Sequence, residues 1–261
     1  MSLIDDTMLP LVEEFYTLQG EGWHTGRAAW FIRLGGCDVG CSWCDAKETW
    51  NPKTHPPVAV DEIVRRATAD NPARAVVITG GEPLIYPLDG LCDGLHAAGI
   101  EIFLETSGSH PFSGSFDWVC LSPKRRKPPL EGAWAMADEL KVIVEGADDI
   151  EWAEECASRI ESGKLNRRQA ESNRVCSNCR GAKEENERSE VKIENELRDI
   201  EATRSENCAL ANFQFSTFNF QLYLQPEWSR REEVMPLIVE HIKRNPRWRS
   251  SLQSHKYMRI P

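Results

Sequence analysis

The chain reads as an α/β protein, a partial and open parallel β/α barrel interrupted in its last third by a charged insertion. Three observations predict this. Apolar strand-like runs alternate with helical segments from about residue 28 to 160 and again from 220, the pattern of successive βα units. Polar and glycine residues gather where those runs end, as in Gly80-Gly81-Glu82-Pro83 and Ser122-Pro123-Lys124, which is where a barrel carries its site. The units are too few for a closed barrel of eight. Finally, from about Glu161 to Asn207 aromatic residues vanish and Glu, Arg, Lys, Asn and Ser dominate. Residues 1–160 and 208–261 are therefore read as one domain, and 161–207 as an insertion of unassigned role, helical or disordered.

In chain order, Leu11–Leu18 is strand-like and ends in the glycine-flanked turn Gln19-Gly20-Glu21-Gly22. Ala28–Leu34 is a near-continuous apolar run, as in a strand buried on both faces. Pro56–Val60 precedes a helix through Ala69, with Asp61 as its N-cap and Ile63, Val64 and Ala67 on one face. Strands follow at Ala75–Thr79, Glu101–Glu105, Phe116–Leu121 and Leu140–Val144, with helices at Leu88–Ala98, stopped by Gly99, and at Asp148–Ile160. Inside the insertion Ile193, Leu197 and Ile200 form a thin apolar stripe. The barrel resumes with strand Phe220–Leu224 and helix Ser229–Arg244, and Trp248–Gln253 is strand-like.

Composition bounds the function. The net charge is −10, from 31 basic and 41 acidic residues, which argues against a nucleic-acid grip through phosphates. No apolar run is long enough to span a membrane. Met1–Asp6 has neither the basic nor the apolar region of a secretory signal. Nine cysteines, an odd number, suit reduced thiols and metal chemistry better than a disulfide framework. The reading is a cytoplasmic enzyme.

The chemistry centres on Cys37, Cys41 and Cys44, spaced C-x3-C-x2-C behind Gly35-Gly36. Thiolates select iron–sulfur clusters, zinc or Cu(I). A structural zinc site takes four protein ligands, and a [4Fe–4S] cluster normally takes four cysteines. Three leave one iron open to a substrate or cofactor. Gly80-Gly81-Glu82-Pro83, one βα unit on, places glycines where a backbone can approach a ligand and a carboxylate that can accept from an ammonium.

The cysteine spacing, with Trp43 before the last thiol, resembles the radical S-adenosylmethionine (SAM) signature, and GGEP resembles that superfamily's methionine-binding motif. The likeness narrows at Phe15–Gly22, Phe31–Cys37, Leu104–Gly108, Ser122–Lys124, Tyr223–Glu227 and Ser251–Tyr257. Together these resemble the 7-carboxy-7-deazaguanine synthase family of queuosine biosynthesis, a tRNA-modification pathway. The resemblance implies a lyase with one [4Fe–4S] cluster on Cys37, Cys41 and Cys44, its open iron chelated by SAM. A 5′-deoxyadenosyl radical would take the C6 hydrogen of 6-carboxy-5,6,7,8-tetrahydropterin. The product would be 7-carboxy-7-deazaguanine, with loss of ammonia and regeneration of SAM. By the same carry-over Trp43, Cys44, Asp45, Gly81, Glu82, Glu105, Ser122, Pro123, Lys124, Gln225, Pro226, Glu227 and Trp228 form the SAM pocket. Leu18, Gln19, Gly20, Glu21, Arg33, Thr79, His255 and the carboxylate of Pro261 would hold the pterin. A homodimer and a flavodoxin- or ferredoxin-type electron donor are implied.

The residues support several roles directly. Gln19 both donates and accepts, as a pterin edge requires, and Arg33 can pair bidentately with a carboxylate; the plainer reading of Arg33 is a salt bridge at the rim. Where many family members carry a Mg2+-ligating Thr or Ser, this chain has Ala46. Any Mg2+ would need water, substrate, Asp45 or Glu48, and its use stays open. Cys92, Cys120 and Cys156 read as buried apolar residues. Cys176 and Cys179 form a C-x2-C pair short of a complete metal site. Two other readings remain: a radical SAM activase of a glycyl-radical enzyme, and a zinc-binding interaction module.

Overall fold

The computed structural model describes the backbone of residues 7–181 and 220–261 and the side chains of 7–167 and 220–261. The chain divides into two units, Met1–Gly163 with Phe220–Pro261, and Lys164–Asn219. Of the second, only a helix backbone through Gly181 lies among the described residues. Ile193, Leu197, Ile200 and the side chains of Cys176 and Cys179 lie outside them.

The first unit is built on one sheet of nine strands: β1 Met8–Leu18, β2 Ala28–Leu34, β3 Pro57–Ala59, β4 Ala75–Gly80, β5 Glu101–Thr106, β6 Trp118–Leu121, β7 Glu139–Val144, β8 Gln221–Pro226 and β9 Trp248–Ser250. Their order is β3-β1-β2-β4-β5-β6-β7-β8-β9. From β2 to β9 every neighbouring pair is parallel, and the sheet stays open, as expected of a partial barrel. The exception is β1, antiparallel to both β2 and β3. Its link to β2 is a tight turn closed by Gln19 N–H to Arg27 O and Gly26 N–H to Gln19 O, both 2.8 Å. So short a connection permits only an antiparallel pair.

Among the described residues six α-helices are present: α1 Val60–Ala69, α2 Asp89–Ala97, α3 Glu131–Trp134, α4 Ala147–Gly181, α5 Arg231–Arg244 and α6 Ser254–Met258. Alternation along the strands sends Val76, Ile78, Ile102 and Leu104 outward against Ile63, Leu91 and Leu95 of α1 and α2. Leu140, Val142 and Leu222 do the same against α4 and α5. Val77 and Phe103 point inward and, with Ala29 and Ala75, close the bottom of the half-barrel. The inner face above that floor is left for polar residues.

Several element boundaries differ from expectation, β1 beginning at Met8 and β6 at Trp118 among them, and three have a clear physical cause. Helix α1 begins at Val60, with Ala59 at its cap position and no side-chain cap bond. Val60 N–H donates to Thr7 O, so the β3–β1 ladder runs straight into the helix. Asp61 sits in the first turn instead, where a carboxylate meets the positive end of the helix dipole. Helix α4 passes the expected end at Ile160. Gly163 lies within it and would place a Cβ 3.1 Å from Ala135 N; it serves close packing. The tail is extended only through Ser250. Ser251 N–H then donates to Leu224 O and Ser254 N–H to Gly20 O, which bends the chain off the sheet into α6.

Candidate active site

A cleft of about 450 Å3 opens at the carboxyl ends of the parallel strands. Behind β2 the chain turns through Gly36 (φ +104°) and Gly40 (φ +67°), conformations that favour glycine. The loop presents Cys37, Cys41 and Cys44 to this cleft, all free and partly exposed. Burial pushes the Cys37 and Cys41 thiols above their ordinary range, so as thiolates they require a cationic partner such as iron. Among the described residues no three His, Cys, Asp or Glu side chains converge as a single metal ion requires. Three thiols on one loop are the donor set of a cluster with one open position, whereas a structural zinc site needs a fourth protein ligand.

The Gly80–Pro83 loop is joined to the cysteine loop through its backbone. Gly81 N–H donates to Leu34 O at 3.0 Å and Glu82 N–H to Gly36 O at 2.8 Å. Glu82 is 1% exposed. One of its oxygens accepts from Thr106 Oγ1 (2.6 Å) and Leu84 N–H (3.1 Å); the other accepts from Ser107 N–H (2.8 Å) and Ser107 Oγ. The carboxylate expected to receive an ammonium is thus already engaged, and what it does here is fix the loop to the end of β5.

On the far wall Lys124 Nζ donates to Ser122 Oγ at 2.7 Å and lies 5.6 Å from the Trp43 ring centroid. Pro123 is buried behind this turn and does not reach the cleft, unlike the other residues expected in the SAM pocket. Glu227 accepts from Ser229 and Arg230 N–H, each at 3.0 Å, and so caps the short turn Trp228–Arg230. Gln225 accepts from Ser251 Oγ at 2.7 Å.

The same cleft is lined by every residue expected to contact substrate. Arg33 pairs in register with Thr79, and its Nε meets Glu13 at 2.7 Å, so the rim salt bridge is also present. Gly20 supports the C-terminal tail: its carbonyl accepts from Ser254 N–H and Oγ, and His255 packs against its Cα. Pro261 lines the cleft as well.

The cleft also holds a lysine that sequence reasoning missed, set among carboxylates that it named. Lys141, in the middle of β7, reaches Glu21 at 2.7 Å and Glu105 at 2.9 Å. Gln19 Nε2 donates to Glu105 at 3.3 Å. Gln253 Nε2 donates to Glu21 at 3.0 Å and to Asp45 at 3.2 Å, and Lys256 Nζ donates to Asp45 at 2.6 Å. The tail is thereby tied to the cysteine loop. Burial alone would raise the Glu21 carboxyl; Lys141 overrides it and holds the group down at about 2. A lone lysine in the apolar run Leu140–Val144 was the available signal, since an inward-facing ammonium in a buried strand needs partners.

Glu139, one pleat below Lys141, behaves oppositely. Burial, aided by the charge of Glu105 and opposed by Lys141, lifts its carboxyl to about 7. One oxygen accepts from Trp23 N–H and Trp118 Nε1–H, each at 3.1 Å. A raised folded-state pKa on an acid means that the native state binds more protons between pH 4.5 and 7, so stability falls as pH rises through that window. The slope approaches about 1.4 kcal/mol per pH unit, and the loss is complete above pH 7. Glu139→Gln is expected to remove this slope from urea-unfolding free energies; an unchanged slope would place the carboxyl's pKa near its ordinary value.

Relatives agree with the cleft. The model of the radical SAM superfamily matches residues 31–119, which span the cysteine loop and the GGEP motif. A 7-carboxy-7-deazaguanine synthase of Flavobacterium psychrophilum is 41% identical over 97% of this chain and 93% of its own length. The protein of that name from a Synechocystis strain is 38% identical over 96% and 93%. The crystal structure of QueE from Escherichia coli superposes with a TM-score of 0.61 at 28% identity, covering 95% of both chains. Three thiols with one coordination place to spare, a glycine loop fixed beside them and this breadth of likeness lead to one assignment: the chain belongs to the 7-carboxy-7-deazaguanine synthase family of the radical SAM superfamily.

Proposed function

We propose that this protein converts 6-carboxy-5,6,7,8-tetrahydropterin to 7-carboxy-7-deazaguanine with release of ammonia, acting as a carbon–nitrogen lyase. The observation that carries this reading is the meeting, in one cleft, of the three free thiols with the Gln19–Gly20 turn and the His255 tail. A glycyl-radical activase has no use for the second half of that arrangement. When bound, a [4Fe–4S] cluster with SAM supplies a carbon radical able to take a hydrogen from substrate.

The chain's own residues set the rest. Cys37, Cys41 and Cys44 would hold the cluster. The backbone of Gly81, the Ser122–Lys124 turn and Gln225–Trp228 bound the space beside it, where SAM fits. Arg33 and Thr79 would take the substrate carboxylate. Gln19, Glu21 and the backbone of Leu18 and Gly20 would meet the pterin ring, with His255 and Pro261 closing over it. Asp45, engaged by Lys256 and Gln253, couples the substrate side to the cofactor side. Ala46 lines the cleft without an oxygen to offer, so a Mg2+ ion would rest on substrate, water and Asp45 or Glu48; the reading does not depend on it.

A flavodoxin- or ferredoxin-type reductant, a homodimeric assembly and a cytoplasmic setting complete the proposal. No described helix is long and apolar enough to cross a membrane. Anaerobically reconstituted protein given SAM, dithionite and the carboxytetrahydropterin should yield the deazaguanine acid and ammonia in equal amounts. Cleavage of SAM with no pyrrolopyrimidine product would overturn the assignment.

A further inference from the structure

We propose that Lys141 is a positioning residue for substrate, holding the Glu21 and Glu105 carboxylates turned into the cleft as acceptors for the donor edge of the pterin ring. The inference rests on the functional reading above and adds a residue to it. Exposure separates the roles. The Lys141 side chain is 4% exposed, whereas those of Glu21 and Glu105 are 18% and 20% exposed. Lys141 lines the cleft too, yet the two carboxylates offer a ligand far more surface than the ammonium, which acts mainly through them.

The chemistry matches. A pterin's pyrimidine edge presents a ring N–H beside an exocyclic amine, and an ionised carboxylate is an acceptor only, the complement of that edge. Burial would favour the protonated form of Glu21, and Lys141 opposes it. A protonated carboxyl would present a donor to donors. The ammonium prevents this, and its desolvation is offset only because both partners are within 3 Å. An apolar side chain of similar size would fill the same space without that cost, so packing alone does not account for a lysine here. Cys120, Glu139, Lys124 and His255 also bear electrostatically on this cluster. Of these Glu139 is closed off beneath the cleft and Cys120 is 2% exposed, which leaves Glu21 and Glu105 as the acceptors.

The test uses reconstituted holoenzyme, 6-carboxypterin as a redox-inert binding probe, and turnover of the tetrahydropterin. Lys141→Met should weaken probe binding about 10-fold or more at pH 6. The deficit should shrink toward pH 8.5 as the released Glu21 carboxyl ionises. KM should rise with it, while SAM affinity and iron content stay at wild-type levels. A merely structural lysine would give a deficit independent of pH, or one shared by SAM, and either result overturns the proposal. Should Lys141→Met fail to fold, Glu21→Gln and Glu105→Gln each leave the lysine one carboxylate. Each should weaken the probe about 10-fold, and wild-type affinity in both refutes the assignment. Wild-type protein that neither binds the probe nor turns over substrate would instead refute the functional reading.

Discussion

Gly81→Ala should yield a folded protein that takes up little iron and turns over at least ~100-fold more slowly. A Cβ at this position would stand 2.2 Å from the Gly36 carbonyl oxygen and 2.9 Å from Cys37 Cβ. Neither obstacle is the free end of a flexible side chain. Gly36 is itself held by Thr49 O through its N–H and by Glu82 N–H at its carbonyl, so the GGEP loop must move away from the cysteine loop. Glu82 would resist, since Thr106, Ser107 and Leu84 hold its carboxylate. The displacement therefore falls on the cysteine loop, whose thiols must keep cluster geometry to within a fraction of an ångström. Iron per chain after anaerobic reconstitution, the EPR signal of the reduced protein and the affinity for SAM should all drop together. The melting temperature should change little, because the outward-facing core of the sheet is untouched. Full iron loading with normal SAM affinity would show that the two loops are not coupled.

What could be read from the sequence was what is contiguous in it. The three cysteines, the GGEP turn and the strand-end tripeptides each announce themselves within a few residues, because a loop that wraps a ligand uses neighbouring backbone. The parallel core was legible for a similar reason: strands such as Ala75–Gly80 are apolar throughout and bounded by glycine or charge. What escaped was the set of partnerships across strands. Lys141 meets a turn 120 residues away and a strand 36 residues away, and no local pattern announces such a junction. Glu82 showed the converse. Its motif marked the right place, yet only the fold reveals that the ends of β4 and β5 claim both carboxylate oxygens. Pro123 was carried along with its neighbours, although alternation past the end of β6 turns it away from the cleft, with Val119 and Leu121.

Gly20→Ala should produce the complementary defect, damaging the substrate side while sparing the cofactor side. The new Cβ would lie 2.2 Å from His255 Nδ1 and 2.8 Å from His255 Cβ and Cγ. Rotating the imidazole relieves the first contact but not the other two, which sit near the tail backbone. The tail must therefore lift, breaking the bonds from Ser254 N–H and Oγ to Gly20 O. It would also loosen the Gln253 bridge between Glu21 and Asp45. We expect kcat/KM for the carboxytetrahydropterin to fall about 100-fold, chiefly through KM, with iron content and SAM affinity unchanged. SAM should still be cleaved reductively, now out of step with product, because the tail that positions the acceptor of the radical is displaced. Two glycines 61 positions apart thus divide the cleft into halves that fail separately. If Gly20→Ala instead loses iron, as Gly81→Ala is expected to do, the tail and the cysteine loop form one cooperative element. The Lys256–Asp45 pair at 2.6 Å would then be the contact through which they move together.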